Sequence, residues 1–230
     1  MTKFDTEEHL RQSFIAEACP SLWTTWTDSR VVTVQESTCS NGRADWVWSA
    51  YRSPHQLFSE HAELLQQPTC SRILATLKDD SPRRHAYLES SSGVSSTMFR
   101  RSLLQLISAE LVMEVSTRRY VLGPSFRVPT IEICSFEFKL NDWQRALYQA
   151  IRYRTFSHRV YVVAPPSTVN RMTSSLDTFR RFGIGIIAHG LEGMSKRVLA
   201  CRKRSPISRH NFIQAVGMLV HQPATQPARV

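Results

Sequence analysis

The stretch TIEICSFEFKL occupies residues 130–140, and its alternating side chains predict a β-strand. Because alternate residues of a strand share one face, Glu137 and Lys139 project together while Phe138 projects into the opposite layer. A carboxylate beside an amine at the end of a strand can hold a hard cation and position a water molecule. Taken alone, the triplet also fits an exposed ion pair.

The segments that follow this strand predict helices packed against a sheet. DWQRALYQAIRY at 142–153 predicts a helix, and the apolar run RVYVVA at 159–164 predicts a buried central strand. Further along, the pattern predicts a helix at 174–182, a strand at 183–189, its hairpin partner at 196–201 and a helix at 208–220.

The N-terminal segment adds a helix at 6–18 and a hairpin of two strands at 30–35 and 44–51. The combined order is αββ followed by βαβαββα. This order predicts an α/β (α+β) fold, a mixed central sheet flanked by helices.

Residues 54–128 have a different, mainly helical pattern. Helices are predicted at 71–78 and 83–90, a turn at Gly93, a third helix capped by Ser95 or Ser96, and a β-ribbon at 111–115 and 119–122. This order resembles the winged helix-turn-helix family, whose recognition helix enters the major groove of DNA. We therefore expect an inserted winged-helix module at 54–128, within a discontinuous domain of 1–53 and 129–221, and a disordered tail at 222–230.

A second resemblance involves the sheet-forming segments. Asp45 lies in the apolar strand ADWVWSAY, where an unpaired carboxylate is costly, and Gln149 and Tyr153 form a QxxxY element on the helix after the ExK strand. This pattern resembles the PD-(D/E)XK nuclease superfamily, restriction-endonuclease-like, with a QxxxY element similar to that of the RecB-type branch. The resemblance implies that Asp45 and Glu137 bind metal and that Lys139 is catalytic. Gln149 and Tyr153 would line the site or contact DNA.

The chain departs from that family's pattern in two ways. Ala44 stands where the family's proline would precede Asp45, and Asp45 and Glu137 are 92 positions apart. The inserted module accounts for the long separation, because an insertion at a hairpin junction leaves a sheet intact. A second QxxxY match at Gln144 and Tyr148 shows that this element alone is weak.

The family often adds a carboxylate from its first helix. Glu7 lies three residues before Leu10 and seven before Phe14, on the inward side of this helix, while Glu8 points further round. We therefore expect Glu7 in the site; its alternative role is interaction with the helix dipole. Glu36, at the end of the first strand, is a weaker acidic candidate.

The basic residues are unevenly distributed along the chain. The 230 residues carry 29 Lys+Arg against 19 Asp+Glu, a net charge of +10, and 24 of the basic residues are arginine. Residues 1–126 have a net charge of −1, and residues 127–230 have one of +11. Guanidinium groups bind phosphate bidentately, so the surplus favours nucleic acid as a partner. A solvated basic surface or attraction to an anionic membrane are the alternatives.

Four arginines of the inserted module are the candidate DNA contacts. Arg100 and Arg101 lie off the apolar stripe of the third helix, and Arg118 and Arg119 lie in the ribbon. The alternative is a solvated helix face beside a structural ribbon. Tyr153 is a further candidate for contact with DNA.

These features together predict a Mg²⁺-dependent (or Mn²⁺-dependent) DNA endonuclease that hydrolyses phosphodiester bonds. The expected partner is double-stranded DNA, bound by a homodimer or a larger nucleoprotein assembly, in restriction or mobile-element defence. One alternative is a catalytically inactive DNA-binding regulator or assembly subunit on the same fold. Another is a module that binds RNA or acidic proteins.

Composition narrows the environment. With 42% hydrophobic and 21% charged residues the chain is expected to fold, and we find neither a bilayer-spanning apolar run nor a secretory signal in it. The five cysteines are odd in number and lack CxxC spacing, which argues against a disulfide framework or a zinc cage. We expect a soluble, cytoplasmic protein without a membrane partner.

Overall fold

The computed structural model describes residues 4–17, 30–39, 42–52, 56–126, 128 and 130–222. Up to residue 130 the elements are α1 (Glu7–Glu17), β1 (Arg30–Cys39), β2 (Gly42–Arg52), α2 (Gln56–Gln66), α3 (Pro68–Thr76), β3 (Arg83–Arg84), α4 (His85–Ser92), α5 (Ser96–Ser108), β4 (Val112–Ser116) and β5 (Arg119–Leu122). The elements from residue 130 onward are β6 (Thr130–Phe138), α6 (Trp143–Tyr153), β7 (Arg159–Ala164), α7 (Pro166–Met172), a 3₁₀ turn (Thr173–Ser175), α8 (Leu176–Phe182), β8 (Gly185–His189), β9 (Ser195–Leu199) and α9 (Arg209–His221).

The described chain divides into two units. The first holds the described residues up to Arg52 together with Ile131–Ile207. The second holds the described residues from 56 to 130 and from 208 to 222. The chain therefore leaves the first unit after β2 and returns to it at β6.

A six-stranded mixed sheet organises the first unit, in the order β1-β2-β6-β7-β8-β9. β1 and β2 are antiparallel, β6, β7 and β8 are parallel, and β9 runs antiparallel to β8. Helices flank this sheet, so the predicted α/β class with a mixed central sheet is confirmed.

β6 lies inside the sheet, and each of its residues from Ile131 to Phe138 is buried. On one face, Phe136 packs against the Trp46 ring of β2, with the ring centres 4.8 Å apart. On the same face, Phe14 of α1 contacts the rings of Trp46, Phe136 and Phe138. These aromatic contacts bury the inward side of α1 and hold its first turn beside the end of β6.

Local sequence signals set several element boundaries. The Asp142 side chain accepts a hydrogen bond from the Arg145 amide and begins α6. Gly183, with φ of 70°, ends α8 in the left-handed conformation that glycine adopts without strain. Four residues thus separate the end of β6 from the start of α6, and α6 packs against β7 and β2.

The second unit contains α3, α4 and α5 together with a three-stranded antiparallel sheet in the order β3-β5-β4. Ser95 caps α5 through the Met98 amide, and Gly93, with φ of 66°, ends α4. The predicted helices and ribbon are present here, and β3 is a two-residue addition. The winged-helix description of this unit stays a prediction.

The last helix groups differently from the prediction, which placed 208–220 with the sheet. α9 packs against α2 and α3 in the second unit. Gly217 allows a close helix contact, because a methyl group added there would lie 2.6 Å from Leu65 Cβ and 2.8 Å from the Ala62 carbonyl. The Gln214 side chain also donates to the Gln66 carbonyl at 3.1 Å.

Other differences concern two helices and the C-terminal tail. The sequence analysis did not predict α2 or α7, and α7 (PSTVNRM) shows little apolar periodicity. The predicted tail at 222–230 lies outside the described residues apart from Gln222, which caps α9. α5 and α9, at 13 residues each, are too short to span a bilayer, and no other described helix has the length and apolar composition to do so.

The close α2–α9 contact gives a test of this grouping. We expect Gly217→Ala to lower the free energy of unfolding by about 1–2 kcal/mol. The added methyl overlaps Leu65 and the Ala62 carbonyl, and this steric cost exceeds the gain in helix propensity from glycine to alanine. Gly190→Ala is the matched control, since its nearest neighbour would be 3.8 Å away, and it should change stability by less than about 0.5 kcal/mol. Urea denaturation measures both, and equal stabilities would contradict the packing.

Candidate active site

Two carboxylates from neighbouring strands define the centre of the site. Asp45 lies in β2, and Glu137 is the penultimate residue of β6. The Phe138 backbone N–H donates to Asp45 Oδ2 at 2.9 Å. This bond fixes the Asp45 carboxylate beside the strand position that carries Glu137, although the two residues are far apart in sequence.

Lys139 connects this pair to α1. Its Nζ lies 3.2 Å from Glu137 Oε1 and 2.9 Å from Glu7 Oε2, and its side chain is 12% exposed. Burial works to lower the pKa of Lys139, but Glu7 and Glu137 outweigh it and raise the pKa above the ordinary value. Lys139 is therefore an ammonium ion near neutral pH, a donor of hydrogen bonds rather than a base.

Tyr153, at the end of α6, supports Glu137 from within the protein. Its Oη lies 2.5 Å from Glu137 Oε2 and 2.6 Å from the Arg43 carbonyl oxygen. One hydroxyl proton can serve only one of these acceptors. Both contacts are satisfied when Glu137 is protonated and donates to Oη, while Oη donates to Arg43.

The prediction that Tyr153 contacts DNA is corrected by its burial. The side chain is 1% exposed, so its ring is not available to a nucleic acid. Its hydroxyl is held between Glu137 and the Arg43 carbonyl. Tyr153 is thus a positioning residue for the Glu137 carboxylate.

Nearby positive charges do not fully neutralise the carboxylates of Asp45 and Glu137. Burial and then the neighbouring Asp45 charge raise the pKa of Glu137 to about 7. Burial likewise raises the pKa of Asp45, although the Phe138 amide and Lys139 act in the other direction. A site that destabilises its own negative charge in this way favours an added cation.

Gln149 lies one turn before Tyr153 on α6 and is partly buried. Its Oε1 is buried and has no hydrogen-bond partner. The competing pair, Gln144 and Tyr148, is exposed, with Tyr148 at 66%. The geometry therefore favours Gln149 over Gln144, as the packed face of α6 predicts.

Arg11 is a site residue that the sequence analysis missed. Its Nη1 donates to the Asp45 carbonyl at 3.3 Å, its Nε is buried without a partner, and its guanidinium pairs with Glu8. Glu8 therefore turns to Arg11, while Glu7 turns to Lys139. A signal for it was present, because Arg11 follows Glu7 by four residues on one helix face.

Glu36 lies across the hairpin from Asp45, since its neighbours Gln35 and Ser37 pair with Trp46 and Ala44. It has a φ of 51°, which is uncommon for a residue with a side chain. Its carboxylate is exposed and pairs with Arg43 at 3.4 Å. It is thus held at the rim of the site.

The candidate DNA contacts lie on exposed surfaces of the second unit. Arg100 and Arg101 are exposed on α5. Arg118 and Arg119 are exposed at the turn between β4 and β5, where Arg118 has a φ of 58°. The Arg118 amide donates to Glu114 Oε1 at 2.7 Å, which orders this turn.

The carboxylate pair offers oxygen donors to a metal ion. Among the described residues, no group of three or more His, Cys, Asp or Glu side chains is arranged to hold one. Magnesium requires less, because it commonly binds through one or two carboxylates and completes its shell with water and substrate phosphate. Glu137 Oε1 is buried and accepts no hydrogen bond, although Lys139 is near. The oxygen donors therefore fit Mg²⁺ or Mn²⁺.

No family model, curated protein or solved structure matches the chain. The resemblance to the PD-(D/E)XK superfamily therefore rests on the sequence pattern alone. Function must accordingly be argued from the site itself.

The two buried glutamates of β6 give opposite stability predictions for the metal-free protein. Because the native pKa of Glu137 is raised above its unfolded value, native protein binds the extra proton between about pH 4.5 and 7, and stability falls as pH rises through this range. Glu137→Gln should remove that fall and raise stability at pH 8 by on the order of 1–3 kcal/mol.

Glu132→Gln is the matched control in the same strand. Burial works to raise the pKa of Glu132, but Arg159 and Lys203 outweigh it and lower the pKa, so its contribution is present at pH 8 and disappears on acidification. This variant should be less stable than wild type at pH 8. Thermal melts in EDTA at pH 5 and pH 8 measure both, and destabilisation of equal size in the two variants would refute the difference.

Proposed function

We propose that the chain is a Mg²⁺-dependent DNA endonuclease of the PD-(D/E)XK type that hydrolyses phosphodiester bonds. The observation that carries the proposal is the cluster of Asp45, Glu137, Lys139 and Glu7, drawn from two strands and a helix. Lys139 and Glu7 are 132 positions apart in sequence. A surface ion pair would not require the buried Glu137 carboxylate and the partly buried Asp45 carboxylate beside the lysine.

Asp45 and Glu137 are the residues that would hold Mg²⁺ or Mn²⁺. Their oxygen donors suit these ions better than zinc, which prefers nitrogen and sulfur. The ion, when bound, supplies positive charge for the phosphate and a lowered pKa for water. Tyr153 keeps Glu137 in place for this role, through the 2.5 Å contact to Oε2.

Lys139 acts as a fixed cation in this proposal. As an ammonium ion it donates to a phosphate oxygen and stabilises the charge that builds up in the transition state. Glu7 orients it, because its Oε2 lies 2.9 Å from Nζ at the first turn of α1.

Recognition of duplex DNA is proposed for α5 and the β4–β5 turn, used as in a winged helix. Arg100 and Arg101 would reach phosphates or guanine edges, and the exposed Leu104, one turn further along α5, would contact a thymine methyl group. Arg118 and Arg119 would hold the backbone. One site cuts one strand, so a double-strand break requires two copies or a larger assembly. Restriction or mobile-element defence, the proposed roles, would require such a break.

A plasmid assay tests the reaction. Wild-type protein should nick supercoiled plasmid in Mg²⁺ and not in EDTA. Asp45→Asn and Lys139→Ala should each lower the rate at least about 100-fold, because each removes a charge that the transition state uses. The exposed Lys196→Ala is the control for removal of a lysine and should keep full rate.

Binding and thermal melting separate a catalytic defect from misfolding. Both variants should keep cooperative melting and should bind duplex DNA within about threefold of wild type in EDTA. Full nicking by Lys139→Ala would rule out the mechanism. Duplex binding without any nicking by wild type would instead favour the inactive regulator or assembly subunit.

The α5 arginines make a second prediction about binding. Arg100→Ala with Arg101→Ala should weaken duplex binding at least about tenfold and reduce the slope of log K against log salt by about one for each phosphate that is no longer bound. Lys78→Ala, an exposed lysine of the same unit, should change affinity less than about twofold. Fluorescence anisotropy at several salt concentrations measures this, and identical slopes for all three proteins would exclude α5 as the recognition helix.

A further inference from the structure

The end of the central sheet opposite the carboxylate pair is strongly basic. We call it the basic end and define it by Arg154, Arg159, Arg180, Arg181, Arg202, Lys203 and Arg204. The position of the basic end along the strands follows from the register of the sheet, in which Arg159 at the start of β7 pairs with Cys134 of β6. Glu132, which Arg159 contacts, lies five residues before Glu137, about 17 Å along the strand.

At the inner edge of the basic end, the Glu132 carboxylate pairs with two cations. Arg159 Nε lies 2.6 Å from Glu132 Oε1, and Lys203 Nζ lies 2.9 Å from Glu132 Oε2. Arg159 also donates to the Cys201 carbonyl at 2.6 Å, which ties the loop after β9 to this point. Glu132 therefore neutralises half of the charge around it.

Arg154 adds a buried positive charge. Its side chain donates to the carbonyl oxygens of Ser157 at 2.8 Å, His158 at 2.9 Å and Ser205 at 3.5 Å, and the residue is 3% exposed. Among the described residues, none of its hydrogen bonds or ion pairs is to a carboxylate. Burial, with a smaller contribution from Arg204, lowers its pKa. A buried charge without a counterion is costly, and an external anion would lower that cost.

The outer layer of the basic end carries more cations than its local acceptors neutralise. Arg204 packs against Gly183 at the end of α8, next to Arg180 and Arg181 of the last helical turn. Asp177 pairs with Arg180 at 2.7 Å. The negative end of a helix dipole amounts to about half a charge, so Arg181 and Arg204 remain largely uncompensated by α8.

We propose that the basic end is a second DNA-contact surface, which binds backbone phosphates of the duplex away from the carboxylate pair. This inference rests on the proposed function, because it takes DNA as the polyanion. Arginine supplies nearly all of these cations, and its planar fork matches phosphate better than lysine does. Phosphates of one strand recur every 3.4 Å along the duplex axis, so the 17 Å between Glu132 and Glu137 corresponds to about five base pairs.

Charge reversal tests this surface without any cleavage. In EDTA, Arg204→Glu should weaken binding to a 30-base-pair duplex at least about tenfold and lower the slope of log K against log salt by about one to two. Lys78→Glu changes the charge by the same amount at an exposed position of the second unit and should cost less than about threefold. Arg181→Gln, exposed on α8, is the milder variant if Arg204→Glu fails to melt cooperatively, and it should lower the slope by about one.

The remaining comparisons identify which polyanion the basic end binds. Equal effects of Arg204→Glu and Lys78→Glu on duplex binding would overturn the proposal, as would an unchanged salt slope in Arg181→Gln. An effect of Arg204→Glu confined to single-stranded DNA, duplex RNA or vesicles with 30% phosphatidylserine would overturn it as well. Wild-type protein that binds duplex through Arg204 but never nicks it would refute the proposed nuclease and leave this surface standing.

Discussion

The hydrogen bond from the Phe138 amide to the Asp45 carboxylate joins the two halves of the central sheet. On one side of it lies the antiparallel β1–β2 hairpin, and on the other lie the parallel strands β6, β7 and β8. An aspartate that satisfies a backbone donor of the next strand is fixed in position by the fold itself. The long departure of the chain between β2 and β6 is therefore compatible with a site that needs carboxylates from both strands, since closing a longer loop costs little extra entropy.

The same arrangement carries an electrostatic cost. Glu137 is fully buried, Asp45 is close enough to raise its pKa, and Lys139 divides its charge between Glu137 and Glu7. A protein selected only for stability would replace such a pair with apolar residues or add a second cation. Retained strain of this kind is typical of sites that bind a charged ligand. The positive φ of Glu36, opposite Asp45 in the hairpin, is a second departure from relaxed geometry at this place.

Much of the first unit could be predicted from the periodicity of apolar residues, because β6, β7 and the β1–β2 hairpin have a local pattern of alternating or continuous apolar side chains. Glu7 could be chosen over Glu8 for the same reason, since the helical period separates their directions. Arg11 was missed because its hydrogen bond to the Asp45 carbonyl joins distant segments, and its spacing from Glu7 does not by itself reveal that contact. The packing of α9 on α2 and the burial of Tyr153 depend on contacts between distant segments, and local propensity carries no information on these.

Glu132 and Glu137 show how the surroundings of a buried glutamate, which residue type does not reveal, determine its role. Both are buried glutamates of β6, five residues apart. Arg159 and Lys203 surround the first and lower its pKa against the effect of burial, whereas burial and then Asp45 raise the pKa of the second. The first carboxylate is thus already paired and serves the fold, while the second has an oxygen without a hydrogen bond and a charge that its surroundings resist. In the proposed nuclease, opposite ends of this one strand would therefore bind ligands of opposite sign, a cation beside Glu137 and phosphate beyond Glu132.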